Sequence, residues 1–253
     1  MDLSALDHAV AAAAALGAGV VNAVAGGGTM LTFPTLIGLG VPAVNSNVTN
    51  TVALCPGYFG GTFAQRNDLV DQRKRLRAFV PVAALGGLIG SALLVSTSER
   101  VFRGVVPFLL LAACALLVFQ DRIRAALPVR REETSDTPPG PGAMAAMFAT
   151  CIYGGYFGAG LGIITLATLG VLLPDKLVRV NAVKQAVTFV ANIVAALFFV
   201  FSGRVVWSLA LVMAPAALVG GNVGGHLAKR MNAKVLRYVV AALGFVVAVR
   251  FWL

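Results

Sequence analysis

The sequence predicts an all-α polytopic membrane protein made of two repeats, each with about five helical segments. Hydrophobic residues make up 58% of the 253 residues and charged residues only 12%, about half the charged fraction of a soluble domain. Apolar runs such as Val101–Phe119 and Ala182–Phe201 approach the roughly 20 residues that a spanning helix needs. The third observation behind the prediction is an internal repeat.

The internal repeat has an offset of 134 residues and rests on residues that are scarce in this chain. Ala25–Gly28 matches Ala159–Gly162, and Asn47 matches Asn181. The same register continues in a set of pairs: Pro81 with Pro215, Gly86 with Gly220, Gly90 with Gly224 and Arg103 with Arg237. We predict a first membrane repeat over residues 1–120, a cytoplasmic linker over 121–142 and a second membrane repeat over 143–253. Internal repeats are typical of secondary transporters that bind their substrate where the copies meet.

Each repeat contains five apolar segments in the same order. In the first repeat they are Leu6–Ala25, Met30–Leu39, Val48–Ala64, Phe79–Val95 and Val101–Phe119. In the second repeat they are Ala143–Phe157, Ile163–Leu173, Ala182–Phe201, Val205–Leu227 and Val235–Leu253. The linker combines charges, Ser, Thr and a Pro-Pro-Gly-Pro run without apolar periodicity, which indicates a solvated segment.

The two opening segments of each repeat form an irregular pair. The first segment of the chain follows Asp2 and Asp7 rather than Lys or Arg, so we interpret it as a retained membrane helix and not as a signal peptide. The second segment of each pair is too short to cross a hydrocarbon core of about 30 Å. Each pair is therefore either two crossings or a broken, re-entrant hairpin, which gives 8–10 spans in the whole chain.

The remaining three segments of each repeat are long enough to cross, and they fix the orientation. The fourth segments carry Pro81 and Pro215 near their starts, and their Gly-xxx-Gly patterns favour close helix packing. The three long segments of a repeat cross the membrane three times, and its opening pair adds either two crossings or none. Each repeat therefore crosses an odd number of times, so the second repeat starts on the opposite side from the first and the two are inverted. With the N-terminus outside, fifteen Lys and Arg residues face the cytoplasm and four face outward, which is the positive-inside bias. Both termini are therefore predicted outside.

The composition argues against several other classes of protein. The net charge of +10 lies in short loops, which suits membrane orientation rather than nucleic-acid binding. Cys55, Cys114 and Cys151 lie in apolar segments without metal-ligand spacing, so neither a disulfide framework nor a metal site is expected. Apart from Asp7, at the very start of the first segment, the membrane segments contain no Asp or Glu and no catalytic constellation. We therefore expect neither an enzyme, nor a cofactor, nor a cation substrate.

Lys184 is the basic residue that we place inside a membrane segment, whereas Arg103, Arg237 and Arg250 are assigned to the two membrane surfaces. A charge there costs at least about 2.5–3.5 kcal/mol unless it faces protein or water, so it indicates a functional site. Asn181 and Gln185 share its helix face by their spacing. The alternative is that Lys184 lies one turn into the helix and extends its amine to the membrane surface.

A second polar cluster occupies the matching positions of the first repeat. This cluster has two possible interpretations. Its side chains could cap a helix, a role for which Asn is favoured, or they could form a substrate site near the midplane of the membrane. Facing helix N-termini would build such a site, and they suit an anion. The alignment pairs Asn47 with Asn181, Asn50 with Lys184 and Thr51 with Gln185.

Glycines at the two breaks fit the same site, because glycine lets the backbone unwind and approach a ligand closely. We expect them to present backbone N–H groups to the anion. These glycines are Gly26, Gly27 and Gly28 in the first repeat and Gly160 and Gly162 in the second. His226 is a separate candidate, as a proton carrier, and a packed histidine without a role in transport is the alternative.

Three features together resemble one known family. They are the glycine break with Pro34 soon after it, the polar run Asn45–Thr51, and Asn181–Lys184 in the second repeat. With the length and the two-copy layout, they make the chain similar to the sulfite exporter TauE/SafE family. The resemblance covers nearly the whole chain outside the linker. It implies a multi-pass transporter of the bacterial inner membrane with functional positions at Gly26–Gly28, Asn47, Asn181 and Lys184.

The resemblance also implies the substrate class, small organic or inorganic sulfur anions such as sulfite, sulfoacetate or other sulfonates. The leading hypothesis is alternating access in which Lys184 neutralises the anion and the side-chain amides donate hydrogen bonds. A transporter or channel for a different small solute and a non-catalytic membrane assembly partner are the alternatives. The expected partners are the anion and the lipid bilayer, with no nucleic acid; the sequence leaves a homo-oligomer open.

Overall fold

A computed structural model describes residues 3–24, 27–64, 66–126, 138–173, 175, 177–227 and 233–250. Within these ranges the chain is helical and contains no strand. The first half holds α1 (Ala5–Val24), α2 (Thr29–Gly38), α3 (Ala43–Ala64), a 3-10 turn (Arg66–Leu69), α4 (Arg73–Ser96) and α5 (Glu99–Ala126). The second half holds α6 (Pro141–Tyr156), α7 (Leu161–Leu172), α8 (Leu177–Val200), α9 (Trp207–Leu227) and α10 (Ala233–Arg250).

Every predicted apolar segment contains a helix, so the all-α prediction is confirmed. Four boundaries differ from the prediction by five or more residues, among them the starts of α4 at Arg73 and of α8 at Leu177. Helix α3 begins at Ala43 rather than Val48, which places the whole polar run inside the helix. Helix α5 continues to Ala126, so the first residues assigned to the linker are helical.

Length and composition make this a multi-pass membrane protein. Four helical stretches are long and apolar enough to cross a bilayer, namely Ala5–Asn22, Arg73–Ser96, Glu99–Phe119 and Arg179–Val200. Shorter apolar helical stretches are Thr29–Gly38, Leu161–Leu172, Trp207–Val223 and Tyr238–Val249. Large apolar side chains such as Phe108, Leu197 and Leu211 are exposed on the bundle surface. Contact with lipid suits such an apolar surface, whereas exposing so large an apolar area to water would be unfavourable.

Both short helices fold back on the helix before them. In the first half, a Cβ at Gly17 of α1 would lie 3.6 Å from the side chain of Leu31 in α2. In the second half, a Cβ at Gly154 of α6 would lie 2.7 Å from Leu161 of α7. The chain turns between α6 and α7 at Gly160, whose φ of 73° is in the left-handed region that favours glycine. Each opening pair is therefore a hairpin broken at its glycines, and α1 is long enough to span a bilayer.

The long helices pair across the two halves. Helix α1 packs on α9 and α4 packs on α6, while α3 contacts α9 and α4 contacts α8. These contacts are backbone-close, because a Cβ at Gly90 would overlap the carbonyl oxygen of Ile152 and one at Gly220 would overlap that of Leu16. The predicted packing role of these two glycines is confirmed. Glycine lets the helix backbones approach in this way.

Candidate functional site

The two broken hairpins meet against the same part of α5. A Cβ at Gly27, before α2, would lie 3.6 Å from the side chain of Leu117. A Cβ at Gly160, before α7, would lie 3.6 Å from the side chain of Leu116. Since Leu116 and Leu117 are adjacent on α5, the N-terminal ends of α2 and α7 both lie beside one stretch of this helix.

Aromatic rings pack beside the two breaks. Phe157, in the second break, contacts Phe33 of α2 edge to face with the ring centroids 5.5 Å apart. Phe102 of α5 contacts Phe157 at 6.2 Å and Tyr156 at 5.7 Å. Phe33, Phe102 and Phe157 are fully buried. They form an apolar wall that holds the two hairpins together on the side of α5.

Lys184 reaches the N-terminal end of α7. It lies two turns into α8 and is half-buried, deeper than the single turn that the membrane-surface alternative assumed. Its Nζ is 4.0 Å from the Cβ position of Gly162, the second residue of α7. A helix N-terminus carries a partial positive charge, so lysine is ordinarily favoured at the opposite end of a helix. An ammonium group placed here adds to the positive charge of the helix end, and an anion bound beside it would interact favourably with both.

Asn181 and Gln185 lie one turn before and directly after Lys184 on α8, and both are half-buried. The carbonyl oxygen of Gln185 accepts a hydrogen bond of 3.2 Å from the hydroxyl of Thr62 near the end of α3. Thr62 is twelve residues beyond Asn50 on α3, a separation of about 18 Å along the axis. The backbones of the two polar clusters are thus far apart, and the clusters face different hairpins.

The first-repeat cluster is a hydrogen-bonded network around the start of α2. Asn50 is only 2% exposed. Its Oδ1 accepts a hydrogen bond from the hydroxyl of Thr32, and its Nδ2 donates one of 3.3 Å to Thr29 Oγ1. The hydroxyl of Thr51 donates to the carbonyl oxygen of Asn47 at 3.0 Å. These side chains lie inside α3, where Asn50 holds α2 in place and Thr51 bonds back to its own helix, so they are not caps of the helix that carries them.

The cap of α3 comes from a distant residue. The carboxylate of Glu99, at the start of α5, accepts hydrogen bonds from the backbone N–H groups of Ala43 at 2.5 Å and Val44 at 3.0 Å. A carboxylate at this position satisfies unpaired donors of the first turn and complements the helix dipole. Sequence reasoning missed this role of Glu99, because its partners lie more than fifty residues earlier and no local pattern marks them.

The first glycine break is closed by Asn22, which sequence reasoning also missed. The Oδ1 of Asn22 accepts hydrogen bonds from the N–H groups of Gly27 at 3.1 Å and Gly28 at 2.7 Å. In this conformation those two donors are occupied and are not free for an anion, contrary to expectation. The available signal was an isolated amide near the end of α1, after the apolar run that follows His8.

Asn47 was expected to donate a hydrogen bond from its side-chain amide to a substrate. In the structure this amide donates to another part of the protein. Its Nδ2 donates 2.9 Å to the carbonyl oxygen of Tyr156, at the C-terminal end of α6. Its Oδ1 is buried and has no hydrogen-bond partner within the described part of the chain. The buried atom left without a partner is thus an acceptor. Two other candidates cannot be placed, because Gly26 and the side chain of His226 lie outside the described residues.

An ion-pair cluster joins the two halves at the end of the bundle where α4 and α8 begin. Arg75 is fully buried and its guanidinium contacts the carboxylate of Asp175, which also binds Arg179 at 3.1 Å. Gln72 donates 3.1 Å to the carbonyl oxygen of Arg179, and Arg179 donates 3.2 Å to that of Val70. No sequence pattern marked this cluster, because Asp175 lies in a loop rather than in an apolar run.

Spanning helices, two broken hairpins that meet inside the bundle and a lysine beside a helix N-terminus define a multi-pass membrane protein of the transporter class. The family model Sulfite exporter TauE/SafE matches residues 11–251, and the chain belongs to this family. The resemblance seen in the sequence is therefore confirmed. The chain is a membrane transporter rather than an enzyme.

Relatives of similar length support the same assignment. The probable membrane transporter protein ORF9 of a Sinorhizobium species is 27% identical over 246 residues, covering 94% of this chain and 89% of the relative. The probable membrane transporter protein of Haemophilus influenzae is 25% identical over 234 residues, with coverages of 92% and 89%. The probable membrane transporter protein YfcA of Escherichia coli K12 is 25% identical over 239 residues, with coverages of 92% and 85%. No solved structure gives a significant match.

Proposed function

We propose that this protein moves small sulfur-containing anions, of which sulfite is the leading candidate and sulfoacetate and other sulfonates are further ones, across the bacterial inner membrane. Transport is by alternating access between two inverted repeats. Family membership, reported above for residues 11–251, supports sulfite as the first anion to test. The geometry around Lys184 supports the charge of the substrate.

The observation that carries the proposal is the position of the Lys184 ammonium beside the first turn of α7. A lysine and a helix N-terminus repel each other unless a negative charge lies between them. A small oxyanion fits this need, because it can accept hydrogen bonds from the ammonium and from backbone N–H groups together. Asn181 and Gln185, on the same face of α8, are proposed as further donors to the anion.

Residues of the first repeat have a supporting role in this proposal, because their cluster lies apart from Lys184. Asn50 holds the start of α2 through Thr29 and Thr32, and Gly27 packs the first break against α5. The second break, with Gly160, supplies the mobile backbone at the entrance to α7. The sequence aligns these two breaks, and only the second has a lysine beside it. The anion is therefore assigned to the second break.

The helix pairing supports inverted repeats. Helix α1 packs on α9 and its counterpart α6 packs on α4, and α3 contacts α9 as its counterpart α8 contacts α4. Two copies related by a two-fold axis produce matched contacts of this kind, and such copies rock against each other around a central site. The packing of each opening hairpin against the other half makes the two halves interlocked rather than separate domains.

The test is anion uptake into proteoliposomes that contain the purified full chain. We expect labelled sulfite to accumulate faster than in protein-free vesicles. Lys184→Gln, which removes the charge, should reduce the rate at least ten-fold, since loss of a charge-assisted contact of about 1.5–3 kcal/mol has that effect. Lys184→Arg is the matched variant that keeps the charge and should retain more activity than Lys184→Gln.

Three outcomes would contradict the proposal. If Lys184→Gln folds and transports sulfite at the wild-type rate and affinity, the anion site does not include this lysine. If the wild-type protein moves none of sulfite, sulfoacetate or thiosulfate but moves a neutral or cationic solute, the substrate class is different. A chain that moves no solute at all would be an assembly partner instead.

A further inference from the structure

We propose that Asn47 accepts a hydrogen bond from the transported anion, so that the protein selects the singly protonated acid anion, hydrogen sulfite, over the unprotonated dianion. The proposal rests on the anion transport proposed above and names the form of the substrate. It starts from the Oδ1 of Asn47, which is buried and has no partner within the described residues. Leaving such an acceptor without a donor is unfavourable, so it indicates a group that is added when a ligand binds.

The orientation of this amide is fixed by its neighbour. The carbonyl oxygen of Tyr156 can only accept a hydrogen bond, and it is 2.9 Å from Nδ2 of Asn47. The reversed amide would place two acceptors against each other. Oδ1 is therefore the atom that faces away from Tyr156, and Asn47 as a whole is only 1% exposed.

The position of Asn47 connects it with the second break. Tyr156 is the last residue of α6, directly before the turn that leads to α7 and to the position beside Lys184. A ligand at this break meets positive groups on the α7 side and a neutral acceptor on the Asn47 side. An anion that also carries one proton satisfies both sides, whereas a dianion presents only acceptors to Oδ1.

A bound metal cation is a weaker explanation for the same atom. Hard cations take about six or more oxygen ligands, and the oxygens next to Oδ1 on α3 are already engaged. The carbonyl of Asn47 accepts from Thr51, and Oδ1 of Asn50 accepts from Thr32. The described residues also contain no cluster of three His, Cys, Asp or Glu side chains. Oδ1 of Asn47, as a single acceptor, therefore suits one hydrogen-bond donor on a ligand better than a metal ion.

Protein groups could also give transport a pH dependence, so the test must separate them from the substrate. Ionisable side chains on the elements around this part of α3 include Glu99 and Arg103 on α5, Tyr153 and Tyr156 on α6, Lys184 on α8 and Arg204 before α9, and α9 also carries His226 in its sequence. Their titration would affect every anion alike. Methanesulfonate has no titratable proton in this pH range and serves as the matched substrate, because only sulfite changes its own protonation.

The experiment measures initial uptake of labelled sulfite and labelled methanesulfonate into proteoliposomes, with equal pH on both sides. The pH is varied across the second ionisation of sulfurous acid, and protein-free vesicles correct for leakage. We expect the sulfite rate, at a total concentration well below saturation, to fall in proportion to the hydrogen sulfite fraction as the pH rises. We expect methanesulfonate uptake to be about ten-fold slower and independent of pH.

Asn47→Leu should reduce sulfite uptake about ten-fold and leave methanesulfonate uptake unchanged, since about 1.4 kcal/mol for one hydrogen bond corresponds to a factor of ten. Asn192→Leu is the control, because Asn192 is another buried amide, and its Nδ2 donates 2.8 Å to the carbonyl oxygen of Thr188. It should keep the preference for sulfite. If Asn47→Leu does not fold, the wild-type comparison of the two anions still decides.

Three results would overturn the inference while leaving anion transport intact. They are a sulfite rate that does not fall with pH, equal rates for the two anions, and a strict requirement for sodium in place of the pH dependence. A folded Asn47→Leu variant with the wild-type preference would overturn it as well. Failure of the proposed function looks different, because then neither anion enters the vesicles at any pH.

Discussion

The same position in the two repeats carries different chemistry. Asn50 and Lys184 are equivalent in the sequence alignment, and each side chain reaches the start of the short helix of its own half. Asn50 makes hydrogen bonds to the hydroxyls of Thr32 and Thr29 and thereby satisfies both ends of its amide. Lys184 instead adds a positive charge beside a helix N-terminus. On the proposed function, Lys184 of the second repeat supplies the charge that attracts an anion, while Asn50 supports the short helix of the first repeat.

Asn50→Leu should destabilise the protein by about 1–2 kcal/mol, because it removes two buried side-chain hydrogen bonds at about 0.6–1 kcal/mol each. Thermal unfolding in detergent measures this effect. Ser96→Ala is the control, since the hydroxyl of Ser96 bonds the carbonyl oxygen of Ala92 at an exposed position and should matter little. The Asn50→Leu variant should keep the anion preference of the wild type. Wild-type stability combined with lost transport would show that Asn50 contacts the anion directly.

The residues of the site differ in how visible they are to sequence reasoning. Lys184 was predictable, because a charge inside an apolar run is unfavourable without a function. Asn47 was predictable as a candidate, but the atom it offers was not, since only the contact with Tyr156 fixes its amide. Asn22 and Glu99 were missed because each acts on backbone N–H groups whose exposure depends on the folded arrangement.

At the scale of elements, apolar length predicted the helices and distant contacts set their ends. Helix α3 begins one turn earlier than its apolar run because the carboxylate of Glu99 caps Ala43 and Val44. The short α2 and α7 were recognisable from length and flanking glycines. Their folding back against α1 and α6, and their meeting beside α5, required packing information that a single sequence does not contain.

Gly90→Ala should be destabilising by about 1–3 kcal/mol, as overpacking of a tight contact usually is. The added methyl group would overlap the carbonyl oxygen of Ile152 and force α4 and α6 apart. Gly104→Ala is the matched control, because a Cβ at Gly104 meets nothing within 4 Å. It should raise helix stability by up to about 1 kcal/mol. Melting temperatures of the two variants in one detergent compare them, and equal values would contradict the close packing of α4 on α6.

For the whole molecule, a buried ion pair links the two halves at one end of the bundle. It joins Arg75 of the first half to Asp175 of the second. Arg75 also donates a hydrogen bond to Gln72, and Arg179 donates one to Asp175. Lys184 lies on α8 a little more than two turns beyond Asp175. On the proposed orientation this end faces the cytoplasm, so opening the site inward requires the ion pair to separate. The pair then holds the inner end closed.

Asp175→Asn should shift the protein toward the inward-open state. Removing one charge of a buried pair is destabilising by about 3–5 kcal/mol, so the closed inner end loses much of its advantage. A cysteine at Thr62, which lies beside Gln185, reports the opening. Its labelling rate by a small polar thiol reagent should rise more than ten-fold in a chain whose native cysteines Cys55, Cys114 and Cys151 are replaced by Ala.

The control for that measurement is Arg66→Ala in the same background. Arg66 lies at the same end of the bundle, and its guanidinium bonds the carbonyl oxygen of Phe63 at an exposed position. Loss of an exposed contact should change the labelling rate little. If Asp175→Asn labels no faster than Arg66→Ala, the ion pair is only a structural link, and inward opening must occur elsewhere.

The assignment of the Arg75–Asp175 pair to the cytoplasmic end depends on the predicted orientation of the chain in the membrane. Fifteen Lys and Arg residues fall on the side of the central linker and four on the side of the termini, so the positive-inside rule places the linker in the cytoplasm. Green fluorescent protein fused to the C-terminus should stay dark after secretory export, while alkaline phosphatase fused there should be active. The same reporters inserted between residues 130 and 131 should give the opposite result. A fluorescent C-terminal fusion would reverse the orientation, and the Arg75–Asp175 pair would then close the outer end instead.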